Sequence, residues 1–207
     1  PIWGTRHTDM LTDNELNAAN AYGEWLRLAV HERELPASQR VRASAGCLAI
    51  AQDHHHAIVV LLDSRLYASV LALVRVAFEA YVRGEWLWLC ATDAEVRRFL
   101  KGKEPPGINL LLEALEKTPA FQEQALSKIK KRTWNSMCGY THTGGLHVQR
   151  WITADGIEPN YSKEELLEAL RFADIIASLS VLGVLTIAED DAMAQKVLDR
   201  YKARMEE

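Results

Sequence analysis

The sequence predicts an all-α fold, a bundle of six to eight helices around a central apolar helix at about 65–90. Three observations predict it. Three capping boxes, Thr12-x-x-Glu15, Thr92-x-x-Glu95 and Ser162-x-x-Glu165, each open a helical stretch. The window 66–91 is apolar on nearly every side and too long for a strand. Period-two alternation is nearly absent: 57–62 is apolar enough for a strand but sits inside a longer helical pattern. With 207 residues, 48% apolar and 25% charged, the chain has the balance of one globular domain, read as 12–207 behind an N-terminal arm at 1–11.

The first helix runs from its capping box to about 34, where Pro36 stops it. Ser38 caps the second, which continues to about 62. Along it Val41, Ala45, Leu48, Gln52, His55, Val59 and Leu62 alternate spacings of four and three, a packing seam. Asp63 and Ser64 turn the chain into the central helix. The Thr92 box starts a short helix ending near Gly102, and Pro105-Pro106-Gly107 is the clearest breaker in the sequence. Short helices follow at 109–117 and 120–137. The segment 138–159, with Gly139, Gly144, Gly145 and Gly156, reads as a loop or broken helix. The Ser162 box opens a long helix to about 188, and Asp190-Asp191 start a final charged helix or continue the same one.

The three cysteines, Cys47, Cys90 and Cys138, form no C-x-x-C pair, so neither a zinc ribbon nor a thioredoxin-like centre is expected, and a cytoplasmic location is. The most apolar window is broken by Arg75, Glu79, Arg83 and Glu85, so no membrane association is expected. Pro1 cannot initiate translation, and Met10 is an internal candidate start. The net charge of −4 excludes a protein that is basic throughout.

Chemistry concentrates in three places. Arg75, Glu79 and Arg83 stand at i, i+4 and i+8 of the central helix, which puts them on one face. Charges in an apolar helix must be paired, so Glu79 is expected to bridge both arginines, leaving Arg83 able to bind an anion. The ladder either fixes helix register or lines a ligand pocket. The consecutive His54, His55 and His56 point about 100° apart on a helix and cannot share one metal ion, whereas His142 and His147 flank a Gly144-Gly145 turn that could aim both rings inward. No metal or other cofactor is expected. Finally, Lys128, Lys130, Lys131, Arg132 and Arg150 fall in 128–152 without an Asp or Glu, interleaved with Trp134, Tyr140 and Trp151. Basic charge with aromatic platforms suits single-stranded RNA, and a solvated helix end suits the same residues.

Two resemblances follow from these residues. The helix carrying Arg75-x-x-x-Glu79-x-x-x-Arg83, with the later Tyr140-Thr-His142-Thr-Gly144-Gly145, resembles bacterial helical-bundle proteins of uncharacterised function over roughly 40–185. That resemblance implies an all-α intracellular bundle and no particular activity. More loosely, the chain is similar to the HEPN superfamily of helical ribonucleases and toxins, which pair an Arg with a nearby His across a dimer. By that resemblance His142 would be the general base, Arg132 or Arg75 would stabilise the phosphate, and Tyr140 would position it. Nine residues separate Arg132 from His142 here, with a glycine among them. The leading expectation is a homo-oligomeric structural or small-ligand-binding module, with Arg75, Glu79, Arg83 and Arg150 as ligand residues. A metal-independent ribonuclease acting through His142, Arg132 and Tyr140 is the alternative, and a metal-dependent bundle enzyme using Glu79 and histidine is a third.

Overall fold

The computed structural model describes residues 11–206, so the expected arm and the candidate start at Met10 lie outside the described residues save for Leu11. Among those residues there are nine α-helices, α1 (Asp13–Val30), α2 (Gln39–Asp63), α3 (Tyr67–Leu89), α4 (Asp93–Leu100), α5 (Ile108–Leu115), α6 (Ala125–Thr141), α7 (Gly145–Gln149), α8 (Lys163–Ile187) and α9 (Asp191–Glu206). A two-residue antiparallel ladder, β1 (Ile152–Thr153) with β2 (Gly156–Ile157), is the one strand pairing among them. The all-α class stands. The ninth helix is α7, a single short turn inside the glycine-rich segment.

All three capping boxes form, each hydroxyl accepting the N3 amide while the glutamate carboxylate takes the cap amide. Other helix ends are set by local turns and, for α3, by a tertiary partner. The first helix stops at Val30, short of the expected 34, because Glu32 turns left-handed at φ 56° and Arg33 Nε donates to the Ala29 carbonyl. The α3 C-terminus has no basic residue of its own. Arg40 of α2 supplies one, Nη1 donating to the carbonyls of Leu87 and Ala91 at 2.9 and 2.6 Å. The helix expected over 120–137 is split at Gln124, whose φ is 54°, and resumes as α6 with the Glu116 carboxylate accepting from both the amide and hydroxyl of Ser127.

Helices α2, α3 and α8 form the centre; α1 and α9 cover α8, while α4, α5 and α6 cover α2 and α3. The three central helices close on Leu48. A Cβ on Gly84 would stand 2.7 Å from Leu48 Cδ2, and one on Gly183 would stand 3.0 Å from Leu48 Cδ1. Both glycines therefore admit one leucine between three backbones, and Ser44 Oγ donates to the Gly84 carbonyl at 2.8 Å beside it. By length and composition α8 could cross a membrane, which revises the expectation that no stretch qualifies; 67% of its apolar window is buried inside the bundle.

Glu85 lies buried against Gly183 at this crossing. Burial pushes its carboxyl up to about 7. Between its ordinary value of 4.5 and about 7 the folded chain holds a proton that the unfolded chain has lost, so this group's contribution falls as pH rises through that window. Glu85→Gln should therefore leave stability unchanged near pH 4 and raise it by about 2–3 kcal/mol above pH 8. Urea melts at the two pH values check this. Gly84→Ala should cost about 1–3 kcal/mol, and Leu48→Ala in the same chain should recover part of that loss in a double-mutant cycle.

Candidate functional site

The i, i+4, i+8 spacing on α3 produces the expected ladder. Glu79 accepts from Arg75 Nε at 2.7 Å through one oxygen and from Arg83 Nη2 at 2.8 Å through the other. Arg75 does more than pair: its guanidinium lies 4.6 Å from the Trp134 ring centre, and its Nη1 donates to His142 Nε2 at 2.7 Å. Because guanidinium has no acceptor, His142 must present a lone pair at Nε2 and carry its proton on Nδ1. The ladder lines neither a sealed core nor a deep pocket. Together with the 104–107 breaker and Leu111 of α5 it borders a cavity of about 220 Å³.

Arg132, Tyr140 and Arg150 gather elsewhere, around a cavity of about 350 Å³ between α3, α6, α7 and α8. Its walls include Leu71, Val74, Met137 and Phe172, with Glu165 and Glu168 among the polar residues. Burial works against the Arg150 charge, but hydrogen bonds and charge from Glu165, and then Tyr140, hold the guanidinium above its usual range. Arg150 donates to Glu165 Oε1 through both Nε and Nη2. The seven residues singled out in the sequence thus form two groups. His142 joins the ladder; Arg132 joins Tyr140 and Arg150, and no contact brings Arg132 to His142. Trp134, on α6 between them, faces the ladder.

The glycine turn behaves differently from the expectation that both its histidines could turn inward. His147 alone does, while His142 is exposed. His147 Nδ1–H donates to the Tyr140 carbonyl at 2.9 Å, and its ring meets those of Tyr140 and Tyr161 edge-on. The turn is tight because the Gly144 amide donates to the Gly139 carbonyl at 2.7 Å, where a Cβ on Gly144 would stand 3.1 Å from Gly139 Cα. His147 thereby fixes the backbone that carries Tyr140.

Of the consecutive histidines, His55 alone is buried. Its partner is Asp174 on α8, whose Oδ1 lies 2.7 Å from His55 Nε2 and whose Oδ2 accepts from Arg204 Nε at 3.0 Å. Ser178 Oγ donates to the Asp174 carbonyl and lies 2.7 Å from the Tyr22 hydroxyl. Sequence reasoning missed Asp174, Ser178 and Arg204. The available signal was Asp174 itself, a lone carboxylate within the apolar run of α8, but its partners lie 119 and 30 residues away. Among the described residues no group of three or more His, Cys, Asp or Glu side chains is placed to hold a metal ion.

A family model described as a family of unknown function (DUF6988) matches residues 48–206, and the chain belongs to that family. No curated protein and no solved structure matches it.

The ladder's energetics are testable. Glu79 is 12% exposed and holds two arginines, so Glu79→Gln leaves both under-compensated. It should lower stability by about 2 kcal/mol, a buried-pair value reduced for partial solvation. Arg83→Ala, with a side chain 34% exposed, should cost less than about 1 kcal/mol in the same urea titration.

Proposed function

We propose that this member of the DUF6988 family is a small-ligand-binding helical bundle, and that its ligand is a compact amphipathic molecule with an anionic head. The observation that carries the reading is the meeting of Arg132, Tyr140 and Arg150 around one cavity with an apolar floor. At about 350 Å³ the cavity falls within the ~300–1,000 Å³ of small-molecule sites. Arg132 forms no ion pair among the described residues, so its planar fork is open to a carboxylate or phosphate. Arg150 is oriented by Glu165 and Tyr140, and Tyr140 by His147, so this rim is held in place before a ligand arrives. Leu71, Val74 and Phe172 offer the ligand's apolar body a dry surface. Glu168 on the rim disfavours a second negative group and limits the head to one charge or a zwitterion.

A second reading, a metal-independent ribonuclease acting at His142, rests on the Arg75–His142 contact, a cation beside an exposed imidazole. It draws less support than the first. Arg132 stands in the other cavity, and Trp134 already carries Arg75 at 4.6 Å and Lys130 at 4.8 Å from its ring centre, where a base would stack.

Octanoate and octyl phosphate are suitable probes. At about one hundred times Kd either should stabilise the protein by about 2.7 kcal/mol, read as a rise in thermal midpoint. Arg132→Ala and Leu146→Trp, both at exposed cavity-lining positions, should abolish the rise, and His142→Ala should not. Absence of any rise in the unaltered protein overturns the ligand reading. RNA cleavage that disappears in His142→Ala would establish the second.

A further inference from the structure

We infer that a separate ligand site lies between α1 and α2, where buried His55 offers a hydrogen-bond acceptor to a neutral, largely apolar molecule bearing one O–H or N–H donor. The site is independent of the cavity at Arg132. It begins with a cavity of about 670 Å³ whose apolar walls include Leu26, Val30, Ala45 and Val184. His55 lines it while being only 3% exposed.

The protonation pattern follows from the partners. The Asp174 carboxylate, fully buried, accepts from His55 Nε2–H on one oxygen and from Arg204 on the other. One carboxylate and one guanidinium already balance. Because a carboxylate only accepts, the neutral tautomer that fits this hydrogen bond carries its proton on Nε2. Nδ1 then presents a lone pair. That atom has no hydrogen-bond partner among the described residues, although the residue is more than nine-tenths buried. His55 reaches the cavity as one of its lining residues, beside Gly23, where a Cβ would stand 2.9 Å from His55 Cε1 and 3.2 Å from Nδ1. Any side chain on α1 at this position would press on the acceptor edge of the ring.

The rim selects the ligand's charge. Glu24 is occupied by Arg27, which donates to it at 2.8 and 2.6 Å. Asp53 forms no ion pair among the described residues, so the mouth carries a net negative charge that opposes an anion. A neutral donor on an apolar frame satisfies both the rim and Nδ1. The Asp174–His55 pair holds the acceptor rigidly, as second partners of histidine ligands generally do.

Calorimetric titration of the full chain with 2-naphthol and with 2-methoxynaphthalene tests this, since the two probes differ in the donor. The naphthol should bind roughly five- to tenfold more tightly, the worth of one hydrogen bond. Two variants locate the binding while leaving His55 in place. Gly23→Ala puts a methyl group against the ring, and Ala49→Phe narrows the mouth from an exposed rim position that the fold tolerates. Each should weaken naphthol at least about tenfold with an unchanged circular dichroism spectrum. Equal affinity for the two probes, or naphthol binding unaffected by Ala49→Phe, would overturn the inference.

Discussion

The structure depends on how closely three helices can approach around Leu48. With glycine at 84 and 183, the backbones of α3 and α8 come close to the leucine, and that of α8 also comes against the Glu85 side chain of α3. Interiors are packed to crystal-like density, so a methyl group at either position displaces something that has nowhere to go. The other helices take their places from that trio. Arg40 closes the end of α3 from α2, α6 lies along α3, and α1 with α9 encloses the far side of α8.

Around this apolar centre the molecule distributes its awkward groups by a consistent rule. For two interior carboxylates the rule is two partners rather than one. Glu79 has Arg75 and Arg83; Asp174 has His55 and Arg204. Two partners satisfy the lone pairs that a single bond would leave facing hydrocarbon, which is the condition for burying charge without a large penalty. Glu85 differs, with burial pushing its carboxyl up to about 7. The two cavities inherit their character from the rule: one is bordered by an arginine with spare donors, the other by a histidine with a spare acceptor.

Much of the fold is legible in the sequence because helical periodicity and capping are local. The three boxes, the seam on α2 and the ladder on α3 need only residues within a few turns of each other, and all are present. Where the reading departs from the structure, the cause is a backbone angle or a side-chain contact. The early end of α1, the break before α6 and the inward turn of His147 depend on contacts that spacing does not encode. The candidate site shows the same division. Arg75, Glu79 and Arg83 are joined as their spacing implies, yet His142 meets Arg75 from 67 residues away and Arg132 is sent to a different cavity by its face of α6. Asp174 could be noticed as a charge in an apolar helix, while its meeting with His55 could not.

Arg204 has a consequence of its own. It lies in α9, near the carboxyl end of the described residues, yet its side chain is 13% exposed and neutralises a carboxylate that solvent does not reach. Helical ends ordinarily fray, opening and closing at little cost. Here each opening would strip a counter-ion from the buried Asp174. The final turns of α9 therefore behave as a latch on the interior: loosening a peripheral helix withdraws the guanidinium that balances a carboxylate deep in the molecule's middle.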